Sequence, residues 1–224
     1  MSDAAVLIGT CGWQYPQWNT SYYPEGLPAD WRLAFYGNEY PVVLLPASYW
    51  SQGREAINSW LEETAERPEF ICEWVFGAEG LGQDSLRDGI AELAERVLGI
   101  MVTLQAQPDA TQLQEIARLA ADYPVCLDWP EAEPGQLHAL LSQAGLAKTV
   151  GICWRGEAEN VAQLDSGRLL VARVPSEGQT PRSLRSLLET LITNASDRQV
   201  VVLFDGNPPD LEIVDQAEVI VNLL

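Results

Sequence analysis

Ile100–Asp128 reads IMVTLQAQPDATQLQEIARLAADYPVCLD and contains one complete strand–helix–strand unit. The apolar run Ile100–Leu104 does not alternate with polar residues, as expected of a strand covered on both faces. Asp109 then precedes Ala110–Asp122, where Leu113, Ile116, Ala117 and Ala120 recur at i, i+3, i+4 and i+7, the spacing of a helix with one apolar face. An aspartate in that place accepts hydrogen bonds from the unpaired N–H groups of a helix start. Beyond Tyr123 and Pro124 a second continuous apolar run, Val125–Asp128, begins. Two strands of this buried type joined through a helix imply a parallel pair.

The same alternation runs outward in both directions. Strand-like runs lie at Val6–Gly9, Val42–Leu45, Phe70–Phe76, Val150–Trp154, Leu169–Val174 and Val200–Phe204. Helix-like segments lie at Ala29–Asn38, Arg54–Glu66, Leu86–Leu98, Gly135–Ala144 and Arg182–Asn194, with Pro181 at a helix start and Gly99 and Gly145 after helix ends. Eight strands in 224 residues give a repeat of roughly 28, near the minimum for a βα unit. The expected fold is α/β, a compact (β/α)8 TIM-like barrel over a single domain, 1–224. One unit is expected to be incomplete or irregular, because Gly156–Leu164 has length for at most two helical turns. Asp210–Leu224 reads either as a last helix or, through β-branched Val219–Val221, as a short extra strand.

Thirteen basic against 32 acidic residues leave a net charge of −19. Such a surface repels phosphate backbones and anionic lipid, so neither nucleic acid nor membrane is expected as a partner. No apolar run approaches the roughly 20 residues of a membrane span, and no basic n-region opens the chain. The expected location is the cytoplasm. Cys11, Cys72, Cys126 and Cys153 form no CxxC pair and read as small buried hydrophobes, and His138 is alone on a helix. No metal site and no cofactor is expected, and neither a phosphate-binding glycine loop nor a GxSxG elbow occurs.

In a parallel barrel, chemistry sits at the C-terminal ends of the strands. Residues at those ends include Thr103 and three acids, Glu73, Asp128 and Asp205, the raw material for general acid–base work or paired-carboxylate chemistry. These are the candidate catalytic residues, and the competing role for each is to cap a helix or to neutralise an arginine. Arg155 and Arg173 are candidates for anion binding. Trp13, Tyr15, Trp50, Trp74 and Trp129 complete the ligand-binding candidates, as the flat walls of a pocket or as packing at the top of a small barrel. Cys11, beside Gly9 and Gly12 at the first strand exit, is a nucleophile only if a nearby cation lowers its pKa, and otherwise a packed small residue.

The opening of the chain carries a resemblance. IGT-x-GW-x-YP-x-W from Ile8 to Trp18, YYPEGLP from Tyr22 to Pro28, then Trp31, Leu33, Tyr36 and Tyr40, resemble the start of the YecE-like family, domain of unknown function 72. The resemblance implies a (β/α) barrel and no particular reaction. It also exposes departures. Where the family carries a strand reading like VEINSTFYR, Leu44 stands in place of the acid, Pro46 in place of the asparagine and Ser51 in place of the arginine. The family's lysine on strand three has no counterpart, and of the later polar pattern only Arg173 matches. The expected protein is therefore a divergent, shortened member that binds a small polar ligand or a protein partner in an aromatic-lined pocket, with a degenerate catalytic constellation. The alternative is a metal-independent hydrolase or lyase acting on a sugar-like or nucleoside-like substrate through carboxylate acid–base chemistry.

Overall fold

The structure, a computed structural model, describes residues 6–52, 54–64, 67–76, 83–93, 96–133, 135–156, 161 and 164–224. Eight strands follow one another: β1 Val6–Cys11, β2 Val42–Leu45, β3 Glu69–Val75, β4 Val97–Thr103, β5 Val125–Asp128, β6 Val150–Ile152, β7 Leu169–Pro175 and β8 Gln199–Asp205. All are paired in parallel, in the order β6-β5-β4-β3-β2-β1-β8-β7. The two ends of that sheet meet at a single bridge, Trp154 to Ala172. There the Trp154 N–H donates to Val171 O at 2.9 Å, and the Arg173 N–H donates to Trp154 O at 2.9 Å. The result is a barrel with a thin seam between β6 and β7, which is where the irregular unit was expected.

Helices cover the outside: α1 Trp18–Ser21, α2 Arg32–Glu39, α3 Arg54–Glu63, α4 Gln83–Leu93, α5 Ala110–Asp122, α6 Gln136–Gln143, α7 Pro181–Ala195 and α8 Leu211–Val221. The starts of α5 and α7 are fixed by reciprocal capping boxes, Asp109 with Gln112 and Thr180 with Ser183. Between β6 and β7 no α-helix occurs among the described residues. Two arginines hold this region instead. Arg168 donates from Nη2 to Ala120 O and Tyr123 O, at 2.6 and 2.5 Å. Arg198 reaches Ser166 O and Leu164 O, at 2.7 and 2.6 Å, and also Asn194 O and Ala195 O.

Two details differ from expectation. The stretch Leu86–Leu98 is not one helix, since α4 ends at Leu93 and β4 begins at Val97. Gly99 therefore follows no helix end but sits inside β4, where a Cβ would meet Leu169 Cδ2 at 2.8 Å and Pro124 O at 3.0 Å. It is a strand glycine kept by close approach. The terminal ambiguity resolves as helix: Val219–Val221 are the last turn of α8. No helix among the described residues is long and apolar enough to cross a membrane.

The core has two parts. Between sheet and helices lies a large cluster including Trp13, Trp74, Val102, Leu127, Trp154 and Phe204. Inside the barrel lies a smaller one, with Cys11, Leu44, Ile71, Met101, Cys126, Cys153, Val171 and Leu203. Adjacent strand residues fall in opposite clusters, as the period of two requires.

Candidate functional site: the barrel mouth

The lumen cluster sets the direction of every side chain above it. Ile71, Met101, Cys126, Cys153, Val171 and Leu203 point inward. Two residues further on, also facing inward, come Glu73, Thr103, Asp128, Arg155, Arg173 and Asp205. Three acids, two arginines and a threonine thus form one polar layer over an apolar lumen.

Arg173 is the hub. Its Nε and Nη2 donate to Asp205 Oδ2 at 2.9 and 2.8 Å, and its Nη1 donates to Asp128 Oδ2 at 3.2 Å and lies 4.0 Å from Glu73 Oε1. Asp128, only 1% exposed, is clasped from the other side by Arg155. Arg155 Nε and Nη2 reach Oδ1 at 3.0 and 2.8 Å, and Nη2 reaches Oδ2 at 2.8 Å. Four guanidinium contacts fill the roughly four acceptor positions of a carboxylate. Glu73 accepts from the Thr103 hydroxyl at 3.0 Å and from the Ala47 N–H at 2.9 Å. Asp205 Oδ1 accepts from the Gly206 N–H at 2.9 Å. Burial would lower the pKa of Arg173, but the surrounding Asp205 and Asp128 outweigh it and hold the guanidinium above its ordinary value.

Cys11 and Tyr15 close the β1 side. Gly12 turns the chain at a φ of +89°, and the Tyr15 hydroxyl donates back to Cys11 O. Burial pushes the Cys11 thiol well above its ordinary value, and Arg173 offsets this only in part. The thiol is a packed member of the lumen cluster. All four cysteines are free and buried.

Of the candidates named from sequence, Glu73, Asp128, Asp205, Arg155 and Arg173 converge, and Tyr15 borders them half-buried. Of the candidate tryptophans whose side chains are described, none joins them. Trp74 and Trp154 occupy the outward positions next to Glu73 and Arg155, and both lie in the cluster under the helices. Trp13 has no exposed surface and stands edge-on to Tyr49 and Trp60, at 4.9 and 5.4 Å between ring centres. Trp129 is half-buried against the same cluster, and the side chain of Trp50 lies outside the described residues. Trp13 and Trp74 therefore offer no wall to a ligand in this conformation. His138 is exposed on α6. Among the described residues, no group of three or more metal-ligating side chains is placed to hold a metal ion. Two parts of the neighbourhood had no signal in the sequence: the Ala47 N–H, a backbone group, and the polar face of α7 beside Arg155, which reads as an ordinary solvated face.

A family model described as a protein of unknown function, DUF72, matches residues 7–224. The chain belongs to the DUF72 family. YecE-like is another name for the same family. Among solved structures, a DUF72 family protein of Enterococcus faecalis V583 is similar with a TM-score of 0.63 at 11% identity, over 98% of this chain and 96% of that one. The homocysteine methyltransferase MmuM of Escherichia coli is similar with a TM-score of 0.49 at 13% identity, over 97% and 96% of the two chains. At such identities the likeness to the first is one of fold, and the second carries no argument. No curated protein matches the chain in sequence.

Proposed function

We propose that this DUF72 barrel binds a small, polar, hydroxyl-rich molecule at its mouth and does not act on it. The observation that carries this reading is the state of Asp128. A general acid or base must be free to exchange a proton with the substrate, whereas both oxygens of Asp128 are taken by guanidinium groups and water is excluded from them. The more open members are Asp205, Arg155 and Arg173, with side chains 37%, 30% and 19% exposed. They present acceptors and donors side by side, a surface suited to neighbouring hydroxyl groups, while the buried partners fix their positions in advance. Leu44 and Pro46, apolar where the family resemblance implies an acid and an amide, agree with binding without turnover.

The test is a thermal-shift and calorimetric screen of the protein against sugars, nucleosides, phosphates and small carboxylic acids, repeated on Arg173→Met and Asp205→Asn. The expected result is a neutral polyhydroxylated ligand whose binding both substitutions remove, with the ligand recovered unchanged. Only phosphates or acids binding would refute the choice of ligand, and no binder at all would turn attention to a protein partner. A second reading, a carboxylate hydrolase, has one observation in its favour: Glu73 and Asp128 approach the same Arg173 nitrogen, so they lie no farther apart than the sum of 4.0 and 3.2 Å. That bound falls inside the roughly 5–10 Å of paired-carboxylate enzymes. Turnover abolished by Glu73→Gln would establish it over binding.

A further inference from the structure

A groove of about 380 Å3 opens beside the mouth, between the end of β6 and α7. Ligand pockets begin near 300 Å3, so the groove has room for a ring-sized group. Arg155 belongs to both places: its guanidinium clasps Asp128 in the mouth, and the same side chain lines the groove. The apolar part of the lining is Trp154, Val161, Val174, Pro175 and Leu187. The polar part is a stripe on α7, Ser183, Ser186 and Thr190, with Gln179 before it. Arg155 is the one charged residue among the described lining, and Asp128 already balances it, although the chain as a whole carries a net charge of −19.

We infer that mouth and groove together hold one elongated, uncharged, polyhydroxylated ligand of at least two ring units, a short oligosaccharide in chemical class. This rests on the reading of the mouth as a hydroxyl-binding site. One ring lies against Arg173 and Asp205, and the next lies along α7. A sugar ring has an apolar C–H face and a polar edge, which match Val174 and Pro175 at the end of β7 on one side and the hydroxyl stripe of α7 on the other. A charged second unit finds no unspent counter-charge in the described lining, and a wholly apolar one desolvates the Ser186 hydroxyl and the hydrogen-bonding capacity that Thr190 and Gln179 keep beyond their bonds to Ser186 O, Pro175 O and Ser183.

The experiment is isothermal titration calorimetry with matched pairs: glucose with maltose and with cellobiose, xylose with xylobiose, and N-acetylglucosamine with its β-1,4-linked dimer. In one pair the dimer is expected to bind about tenfold more tightly than the monomer, or better, which corresponds to about 1.4 kcal/mol. Ser186→Trp fills the groove from an exposed helix position, and Thr190→Phe does so independently. Each is expected to erase the dimer's advantage while leaving monomer affinity and melting temperature unchanged. Arg173→Met is expected to remove both ligands. A dimer that binds no better than its monomer, or an advantage that survives both groove substitutions, overturns the two-unit ligand and leaves the mouth reading standing. No binding by any member of the panel overturns both.

Discussion

Asp128→Asn is the substitution on which the reading of the mouth depends most directly. The carboxylate is buried and holds two arginines whose side chains keep 30% and 19% of their exposure. An asparagine has the same shape but one acceptor oxygen, and its amide nitrogen turns a donor toward a guanidinium. Breaking a buried ion pair from one side costs about 3–5 kcal/mol. Two features reduce that figure here: water reaches Arg155, and Arg173 keeps its bonds to Asp205. We therefore expect a loss of about 2–4 kcal/mol. For a domain of this size each kcal/mol lowers Tm by roughly 2–4 °C, so the melting temperature should fall by roughly 5–15 °C at neutral pH. Urea unfolding followed by tryptophan fluorescence gives the free energy independently.

The same cause predicts a rescue. In the Asp128→Asn background, Arg155→Met removes the stranded cation and should cost less than it does in the native protein, with a coupling of about 1–3 kcal/mol. A loss below about 0.5 kcal/mol, or a gain in stability, would refute the reasoning. Active-site acids held in strain for catalysis are often stabilising to replace, so a gain would return Asp128 to the list of catalytic groups.

At the seam, Arg198→Ala strips the hydrogen bonds from Leu164 O, Ser166 O, Asn194 O and Ala195 O. At about 1.5–3 kcal/mol for a bond to a charged group, discounted because the four share one partly exposed side chain, the expected cost is about 2–3 kcal/mol. Hydrogen exchange should quicken most at the Trp154 and Arg173 amides that close the barrel, and uniform quickening over all strands would contradict a local role. On α8, burial, then Asp215 and Glu39, raise the pKa of Glu218 above its ordinary 4.5. An acid whose folded pKa is raised binds more protons folded than unfolded, so its contribution to stability falls as pH rises from the unfolded value through the folded one. Glu218→Gln is expected to leave stability unchanged near pH 3 and to raise it at pH 7, and an equal effect at both would show that charge is not the cause.

The strands were legible because buried parallel strands leave a continuous apolar run, and β2 and β5 begin and end where those runs do. The starts of α5 and α7 were legible for a different reason: Asp109 can accept from the unpaired N–H groups of a helix start, and Pro181 fits a first helical position that needs no N–H. The boundary of α4 was not legible, since Val97 and Leu98 fit a helix face as well as a strand and Gly99 resembles a helix stop. The position of the mouth's polar residues at strand ends was legible, but which of them meet was not, because strand register decides that. Asp128 faces Thr103 across β4 and β5, and nothing within either segment encodes that. The tryptophans were legible in principle. Glu73-Trp74, Asp128-Trp129 and Trp154-Arg155 are adjacent pairs on strands or strand ends, and a period of two cannot put both members in one cavity. Once the acids and arginines face inward, the indoles must lie under the helices.

That alternation also gives a physical sense to Leu44. It pairs with Ile71 and lies in the lumen, one layer below Glu73, packed among Cys11, Leu203 and Met101. An acid at this place, as the family resemblance implies, would put a fourth carboxylate in the apolar lumen, one layer below the two guanidinium groups. With leucine there, the lumen is apolar up to the mouth, and Arg173 is left to bind Asp128 and Asp205 together. The same arginine closes the barrel through its backbone and the polar layer through its side chain. A leucine on β2 and an acid on β5 held by two guanidinium groups thus act together on the charge balance of the mouth. On the binding reading proposed above, they favour a fixed array of donors and acceptors that holds a ligand over a free base that attacks it.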